Sequence, residues 1–243
     1  MQRYFTDKID NNLITLNKDD SYHITKVMRM NILDKIEIVY NKKVYIAEIT
    51  SLKPDVVAKL IKEKEANTKL SCAVTIVQSL VKEQKMDYIL QKTTELGVST
   101  IIPFAASRSV VKIDGKENKK IERWQSIVKE ASEQSKRIEI PKVENIIDIS
   151  NLVKLSDYDV KFLCTVNEKS KNIKKVLSNL CESARMLFVI GPEGGFTKEE
   201  EQVMMNNDFI PISLGNSVLR TETASTFIMS VVRYIDMEWS IYG

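Results

Sequence analysis

The sequence predicts an α/β protein with two domains, a small β domain in residues 1–68 and a parallel-sheet domain in residues 69–243. Short apolar runs separated by turn residues fill the first part, whereas strand and helix patterns alternate from residue 70 onward. A polar stretch at residues 62–69 lacks apolar periodicity, and we expect it to be a linker. A chain of 243 residues can bury a core in each of two such domains.

The first domain is predicted from three short strands. Their residues alternate between apolar and polar, or are rich in β-branched side chains, as half-buried strands require. We expect strands at residues 36–40, 44–49 and 56–61. Asn41, Lys42 and Lys43 separate the first two and favour a hairpin turn. Strands of this length with turns between them indicate a small barrel or a sandwich.

The second domain is predicted from strands that alternate with amphipathic helices. We expect strands at residues 72–77, 100–104, 160–165, 186–190 and 210–214, and helices at residues 85–96, 118–135, 197–207 and 223–239, with a lysine-rich helix before residue 186. Gly97 stands where a helix C-terminus favours glycine. The alternation predicts a parallel sheet with helices on both faces.

Composition excludes several classes of protein. The net charge of +3 is too small to indicate a nucleic-acid partner by itself. No apolar stretch reaches the roughly 20 residues that cross a membrane, and the first residues do not resemble a signal peptide. Cys72, Cys164 and Cys181 lack metal-ligand spacing and are expected to be reduced, buried thiols of a cytoplasmic protein. With a single histidine, we expect no metal site.

A glycine-containing loop at residues 191–196, Gly-Pro-Glu-Gly-Gly-Phe, is the strongest local signal. It follows a predicted buried strand and precedes a helix whose Thr197 and Glu200 suit a capping box. Open α/β sheets bind ligands at the carboxyl ends of their strands, and glycine lets the backbone approach a ligand. The loop is neither a dinucleotide fingerprint nor a P-loop. A ligand-binding loop is favoured over a purely structural turn.

A second loop follows the predicted strand at residues 210–214 and leads into the last helix. It places Arg220 and Glu222 at or just before the helix N-terminus. The helix dipole there suits Glu222, whereas an arginine needs another partner, such as a carboxylate, phosphate or carbonyl group. A local ion pair between the two residues is the alternative. If the two strands are neighbours, both loops converge on one pocket.

Basic residues elsewhere are weaker signals. Arg137, near the end of a predicted helix, is suited to phosphate, although the pattern favours a solvated helix end. Arg29, with Lys26 and Arg3, could form a basic edge that contacts RNA. His23, the only histidine, is expected to be structural.

Taken together, these residues resemble the RsmE family of the SPOUT superfamily, which methylates nitrogen-3 of a uridine in small-subunit ribosomal RNA. Seven pieces match in order over nearly the whole chain. They are Arg3–Phe5, His23 with residues 27–30, residues 91–98, Arg123–Trp124, residues 130–137 with 140–141, residues 190–196, and residues 214–224.

The resemblance implies a PUA-like β-barrel that binds RNA, followed by a SPOUT methyltransferase domain with a Rossmann-like sheet and a C-terminal trefoil knot. It implies S-adenosyl-L-methionine as cofactor, bound by the knot loops of a homodimer. The implied substrate is a uridine in the decoding region of 16S rRNA, methylated on the assembled small subunit in the cytoplasm. No membrane and no metal are involved.

The resemblance also implies roles for individual residues. The catalytic residues are Arg220, as the cation that stabilises charge on the base, and Glu222, which orients Arg220 or accepts the proton. The cofactor-binding residues are Thr165, Ile190, Gly191, Glu193, Gly194, Gly195, Leu214, Gly215, Asn216, Val218 and Leu219. The RNA-binding residues are Arg3, Lys26, Arg29 and Arg137.

This chain departs from the family at two positions: it has Ser217 where arginine is usual, inside the cofactor loop, and Leu33 where glycine is usual. Two alternatives remain beside the methyltransferase. One is a ribosome-assembly factor that binds RNA but has lost catalysis. The other is an enzyme of the same fold that methylates another position, such as a ribose hydroxyl of transfer RNA.

Overall fold

The structure is a computed structural model that describes residues 1–66, 69–110, 115, 117–177 and 183–242, with side chains up to residue 237. Cys181, and residues 67 and 68 at the expected domain boundary, lie outside the described residues. The chain forms two compact units. The first consists of Met1–Lys69 and Ser132–Glu139, and the second of Leu70–Ala131 and Ile140–Gly243. The segment Ser132–Glu139 was expected in the second domain but groups with the first.

The first unit contains a five-stranded sheet in the order β1-β3-β4-β5-β2. Its elements are β1 (Arg3–Phe5), β2 (Leu13–Thr15), α1 (Lys18–Tyr22), a π-helical turn (His23–Val27), β3 (Lys35–Tyr40), β4 (Lys43–Ser51) and β5 (Val57–Lys64). Strands β1 and β3 are parallel and the other pairs antiparallel. Alternate residues of β3 and β4 fill a core with Tyr4 and Ile14. The expected linker is wrong at residues 62–64, which belong to β5.

Arg3 connects the segment Ser132–Glu139 to β1 and β3 within this unit. Its guanidinium pairs with Glu37 at 2.9 Å and donates to the backbone carbonyls of Arg137, at 3.1 Å, and of Lys136. Arg3 is only 2% exposed and its donors are directed at protein groups, so the expected RNA contact of Arg3 is corrected to a structural role. Arg137 is 8% exposed, and its contact with RNA stays a prediction.

Leu33 occupies a backbone conformation that suits glycine. Its φ is +75°, and its side chain is exposed. A Cβ atom in this left-handed region is crowded by the backbone, and a leucine there costs about 1–2 kcal/mol. The glycine that the family resemblance implies at this position would adopt the turn without that cost. The turn can therefore hold either residue, but leucine adopts this backbone conformation only with strain.

The second unit contains a six-stranded parallel sheet in the order β11-β9-β10-β6-β7-β8, which confirms the predicted parallel sheet. Its strands are β6 (Ala73–Ser79), β7 (Thr100–Phe104), β8 (Lys142–Val143), β9 (Val160–Cys164), β10 (Arg185–Ile190) and β11 (Phe209–Ile212). Its helices are α2 (Glu83–Glu95), α3 (Glu117–Gln134, whose last three residues group with the first unit), α4 (Ile149–Leu152), α5 (Ile173–Leu177), α6 (Lys198–Met205) and α7 (Thr221–Tyr242).

The sheet is buried on both faces because side chains alternate along each strand. In β10, Met186 and Phe188 pack with α2 and α7 residues in one cluster, whereas Leu187 and Val189 pack with Met204 of α6 in another. The central strands are therefore apolar without alternation, as parallel strands covered by helices require. No helix within the described residues is both long and apolar enough to cross a membrane.

Candidate active site

Three neighbouring strands of the second unit end at the same edge of its sheet. Cys164 at the end of β9 is in register with Ile190 of β10 and with Ile212 of β11. The strands are parallel, so the loops that follow them open on one side. These loops are residues 165–172, 191–197 and 213–220. The two loops singled out in the sequence thus lie at the carboxyl edge, where such sheets bind ligands.

The glycine loop, residues 191–197, is held open by its neighbours. Gly195 has a φ of +66°, and no atom beyond its chain neighbours lies within 4 Å of the position that a Cβ would take. Arg108, in the loop after β7, donates from Nη1 to the carbonyl oxygens of Gly194 at 3.0 Å and Phe196 at 3.2 Å. Thr197 and Glu200 form the predicted capping box of α6. The loop therefore presents backbone to open space while its base is anchored.

The second loop has a similar opening at Gly215. Its φ is +122°, and a Cβ there would also meet no atom within 4 Å. The Ser213 hydroxyl accepts a hydrogen bond from the Gly215 amide at 3.2 Å and shapes the turn. Residues 215–218 are exposed, whereas Leu214 and Leu219 pack partly against the core of the unit. The second loop thus consists of exposed residues between two partly buried leucines.

A buried polar network ties the glycine loop to the start of α7. The Thr221 hydroxyl donates to the carbonyl oxygen of Gly191 at 2.8 Å and accepts from Gln78 Nε2 at 2.9 Å. The Ser225 hydroxyl donates to Gln78 Oε1 at 2.6 Å. Sequence reasoning missed Gln78 and Thr221. The sequence feature that could have indicated Gln78 is its position near the end of the mostly apolar strand β6, because a buried amide must find hydrogen-bond partners.

Arg220 and Glu222 stand on either side of this anchored threonine. Arg220 is exposed, directly precedes α7, and its guanidinium has no partner among the residues with described side chains. Glu222 is 17% exposed on its side chain and pairs with Lys85 of α2 at 3.4 Å. The alternative of a local Arg220–Glu222 ion pair is not observed, and neither is a contact through which Glu222 would orient Arg220. An unpaired arginine at a helix N-terminus is unfavourable unless a ligand uses it.

Lys85 was not identified from the sequence, and it also contacts the glycine loop. Its Nζ lies 3.0 Å from Glu193 Oε1. The hydrogen bond to Glu193 is the main reason why the pKa of Lys85 is raised above its usual value. Burial acts to raise the pKa of Glu193, but hydrogen bonds from its own backbone amide and from Lys85 outweigh burial and lower it. Both side chains are therefore charged at neutral pH.

The residues at this edge fit a nucleoside-containing cofactor better than a metal. No atom beyond the chain neighbours lies within 4 Å of the Cβ positions of Gly195 and Gly215, so a ligand can approach the backbone there, and Leu214 and Leu219 of the second loop are partly buried apolar side chains. Thr165 follows β9 at this edge, and its hydroxyl donates to Glu201 at 2.6 Å and accepts from the Asn167 amide at 3.2 Å. No cluster of three or more potential metal ligands occurs in the part of the chain that the structure describes.

The remaining predicted residues lie elsewhere. Lys26 and Arg29 are exposed in and just after the π-helical turn of the first unit. His23, in the same turn, shares a 2.9 Å hydrogen bond with the buried Tyr4 hydroxyl. In the second unit, a surface cavity of about 720 Å³ runs along β11 beside Tyr158 and Phe209, and none of the predicted cofactor residues lines it.

The fold and this site define the class of an RNA methyltransferase, and comparisons with known proteins agree. A family model described as an RNA methyltransferase domain matches residues 68–233, and one described as an RNA methyltransferase PUA domain matches residues 16–61. The chain belongs to the ribosomal RNA small subunit methyltransferase E family. It is 37% identical to the Bacillus subtilis protein of that name, over 96% of each chain.

Two solved structures show the same architecture. The Neisseria gonorrhoeae ribosomal RNA small subunit methyltransferase E, bound to S-adenosyl methionine, is 29% identical with a TM-score of 0.87, over 97% of this chain and 98% of that one. A putative methyltransferase from Legionella pneumophila, in complex with the cofactor SAM, is 28% identical with a TM-score of 0.88, over 96% and 97% of the two chains. The predicted PUA-like and methyltransferase architecture is thereby confirmed.

Proposed function

We propose that this protein uses S-adenosyl-L-methionine to methylate nitrogen-3 of one uridine in the decoding region of 16S rRNA, on the assembled small subunit in the cytoplasm. One observation carries the proposal: the Thr221 hydroxyl donates to the Gly191 carbonyl and so holds Arg220, which is unpaired within the described part of the chain, beside the glycine loop. The printed names of the relatives support the cofactor and the class of RNA. The exact base and atom come from the family resemblance.

The cofactor is proposed to lie against the two loop openings. Backbone groups of Ile190, Gly191, Gly194, Gly195, Leu214, Gly215, Asn216, Val218 and Leu219 would hold it, with Thr165 and Glu193 at the border. When bound, it supplies a methyl group on a positively charged sulfur. The protein's part is to fix the uridine in line with that group, because positioning supplies much of the acceleration in such displacements. Ser217 is exposed, and we assign it no role.

Arg220 is proposed to stabilise negative charge on the uracil ring, and Glu222 is proposed to accept the proton that leaves it. Loss of the N3 proton spreads negative charge onto the two flanking carbonyl oxygens. The Arg220 guanidinium, which has no partner among the described side chains, can donate hydrogen bonds to those oxygens. The Glu222 carboxylate, two residues further on, can accept the proton. In the first unit, Lys26 and Arg29 are exposed and suited to phosphate contacts.

A homodimer is proposed from the outer face of α7. Phe227, Tyr234 and Met237 are exposed although apolar, and their spacing places them on one stripe of the helix. Replacing Tyr234 by glutamate should convert the dimer to a monomer, and sedimentation equilibrium measures this change. Lys198→Glu, which changes an exposed residue of α6, is the control and should remain a dimer. A parental protein that sediments as a monomer would rule out the dimer. The C-terminal trefoil knot is proposed as well, from the family resemblance.

The function is tested with small subunits from cells that lack the gene. Purified protein and labelled cofactor should add one methyl group to a single uridine, and mass spectrometry of RNA fragments should place it on nitrogen-3. Naked 16S rRNA should be a poorer substrate. Methylation of a ribose or of transfer RNA would favour the other enzymatic alternative. Calorimetry that detects no cofactor binding would favour a non-catalytic assembly factor.

A further inference from the structure

Lys85 joins three elements of the second unit at the proposed active site. It lies in the first turn of α2, and its ammonium contacts Glu193 of the glycine loop at 3.0 Å and Glu222 of α7 at 3.4 Å. These residues are far apart in the sequence. Glu193 lies on the loop proposed to bind the cofactor, and Glu222 is the proposed proton acceptor. A single side chain therefore links cofactor loop and acceptor.

The environment of the three side chains makes the contact more than a surface ion pair. The Glu222 oxygen that faces Lys85 is buried and has no hydrogen-bond partner among the described residues, so Lys85 supplies its stabilising charge. Without that ammonium, Glu193 and Glu222 would each lose the cation that the structure places within 3.4 Å. Isolated exposed pairs contribute about 0–1 kcal/mol, but removing the partner of a buried charge has larger effects.

We propose that Lys85 is a positioning residue for methyl transfer: its ammonium clamps the glycine loop against the first turn of α7 and holds the Glu222 carboxylate ready to accept the uridine proton. This inference rests on the proposed function. Lys85 itself touches neither substrate nor cofactor in this scheme. Other charges around the cluster are Lys82, which acts on Glu193, and Arg220, beside Glu222 in the chain.

The clamp predicts a specific shift in pH dependence. Removing a nearby positive charge makes a carboxyl group easier to protonate. In Lys85→Met, the acidic limb of the kcat/KM profile should therefore move to higher pH, and kcat should fall by roughly 10²-fold because the acceptor is displaced. Cofactor affinity, measured by calorimetry, should weaken as the glycine loop loosens. Lys85→Arg keeps the charge and should restore most of the activity and the parental pH profile.

Lys92→Met is the matched control, because it breaks a lysine–glutamate pair on the same helix, with Glu95 at 2.8 Å, away from the site. It should behave as the parental enzyme does. If Lys85→Met keeps the parental kcat, cofactor affinity and acidic limb while the parental enzyme methylates subunits, the clamp is wrong. If the parental enzyme itself neither binds cofactor nor methylates, the proposed function fails instead. Should Lys85→Met unfold, Lys85→Gln provides the same comparison.

Discussion

Replacing Arg220 by alanine is expected to lower methyl transfer to the small subunit by about 10²–10³-fold in kcat, the loss seen when one charge-stabilising donor is removed. The guanidinium has no partner in the described structure, so its removal breaks no internal contact and should leave folding intact. Calorimetry should show nearly parental cofactor affinity, because Arg220 is proposed to face the uracil oxygens. Single-turnover methylation of small subunits measures the effect on the chemical step.

Two further variants make this prediction specific. Arg220→Lys keeps the positive charge but not the forked donors, and should recover only part of the activity. Arg185→Ala removes an exposed arginine at the amino end of β10, far along the strand from the site edge, and should leave kcat unchanged. Near-parental turnover by Arg220→Ala would show that another group stabilises the charge on the base.

Replacing Arg3 by methionine is expected to destabilise the first unit by about 1–3 kcal/mol, the usual cost of leaving buried acceptors without their donor, because Glu37 keeps its pair with Lys64 at 2.5 Å. Arg3 pairs with buried Glu37 and donates to the carbonyls of the segment Ser132–Glu139. Urea unfolding measures the loss, and hydrogen exchange of β1 and β3 should localise it. Lys8→Met, which breaks the exposed Lys8–Asp10 pair, should change little. A loss below about 1 kcal/mol for Arg3→Met would contradict a buried pair.

The same pair predicts a pH dependence of stability. Burial acts to raise the pKa of Glu37, but the hydrogen bond from Lys64 and the charge of Arg3 outweigh it and lower the pKa below its ordinary value of 4.5. A carboxyl whose pKa is lowered by folding stabilises the protein above that ordinary value, and the contribution disappears as pH falls through the folded pKa. The stability gap between parental protein and Arg3→Met should therefore shrink in acid.

The sequence predicted best those strands of the fold that are buried on both faces. Strands β6, β7 and β10 were found within two residues, because both faces are covered and the apolar run is continuous. Strands β1 and β2 were missed: each has three residues, and β1 pairs with residues more than thirty positions later. The end of β5 was taken for a linker because its last four side chains are exposed.

The site was predictable only where the signal is local. Glycines after a strand and a charged pair at a helix start identified the two loops and the position of Arg220. Lys85 and Gln78 act through partners more than a hundred residues away, Glu193 and Thr221. From the sequence alone, a lysine in the first turn of a helix is expected to be solvated. Only the fold places Glu193 and Glu222 beside Lys85. The burial of Arg3 could not be predicted either, because its partners Glu37 and Arg137 are distant in the sequence.

The grouping of Ser132–Glu139 with the amino-terminal unit affects how the chain folds as it is made. Domains generally fold as units in the order of their synthesis. Here the first unit cannot finish before residue 139 has left the ribosome, because the carbonyls that Arg3 needs are supplied by Lys136 and Arg137. Much of the second unit's sequence must therefore be translated before the first can close, and a fragment ending at residue 69 would leave a charged guanidinium short of acceptors.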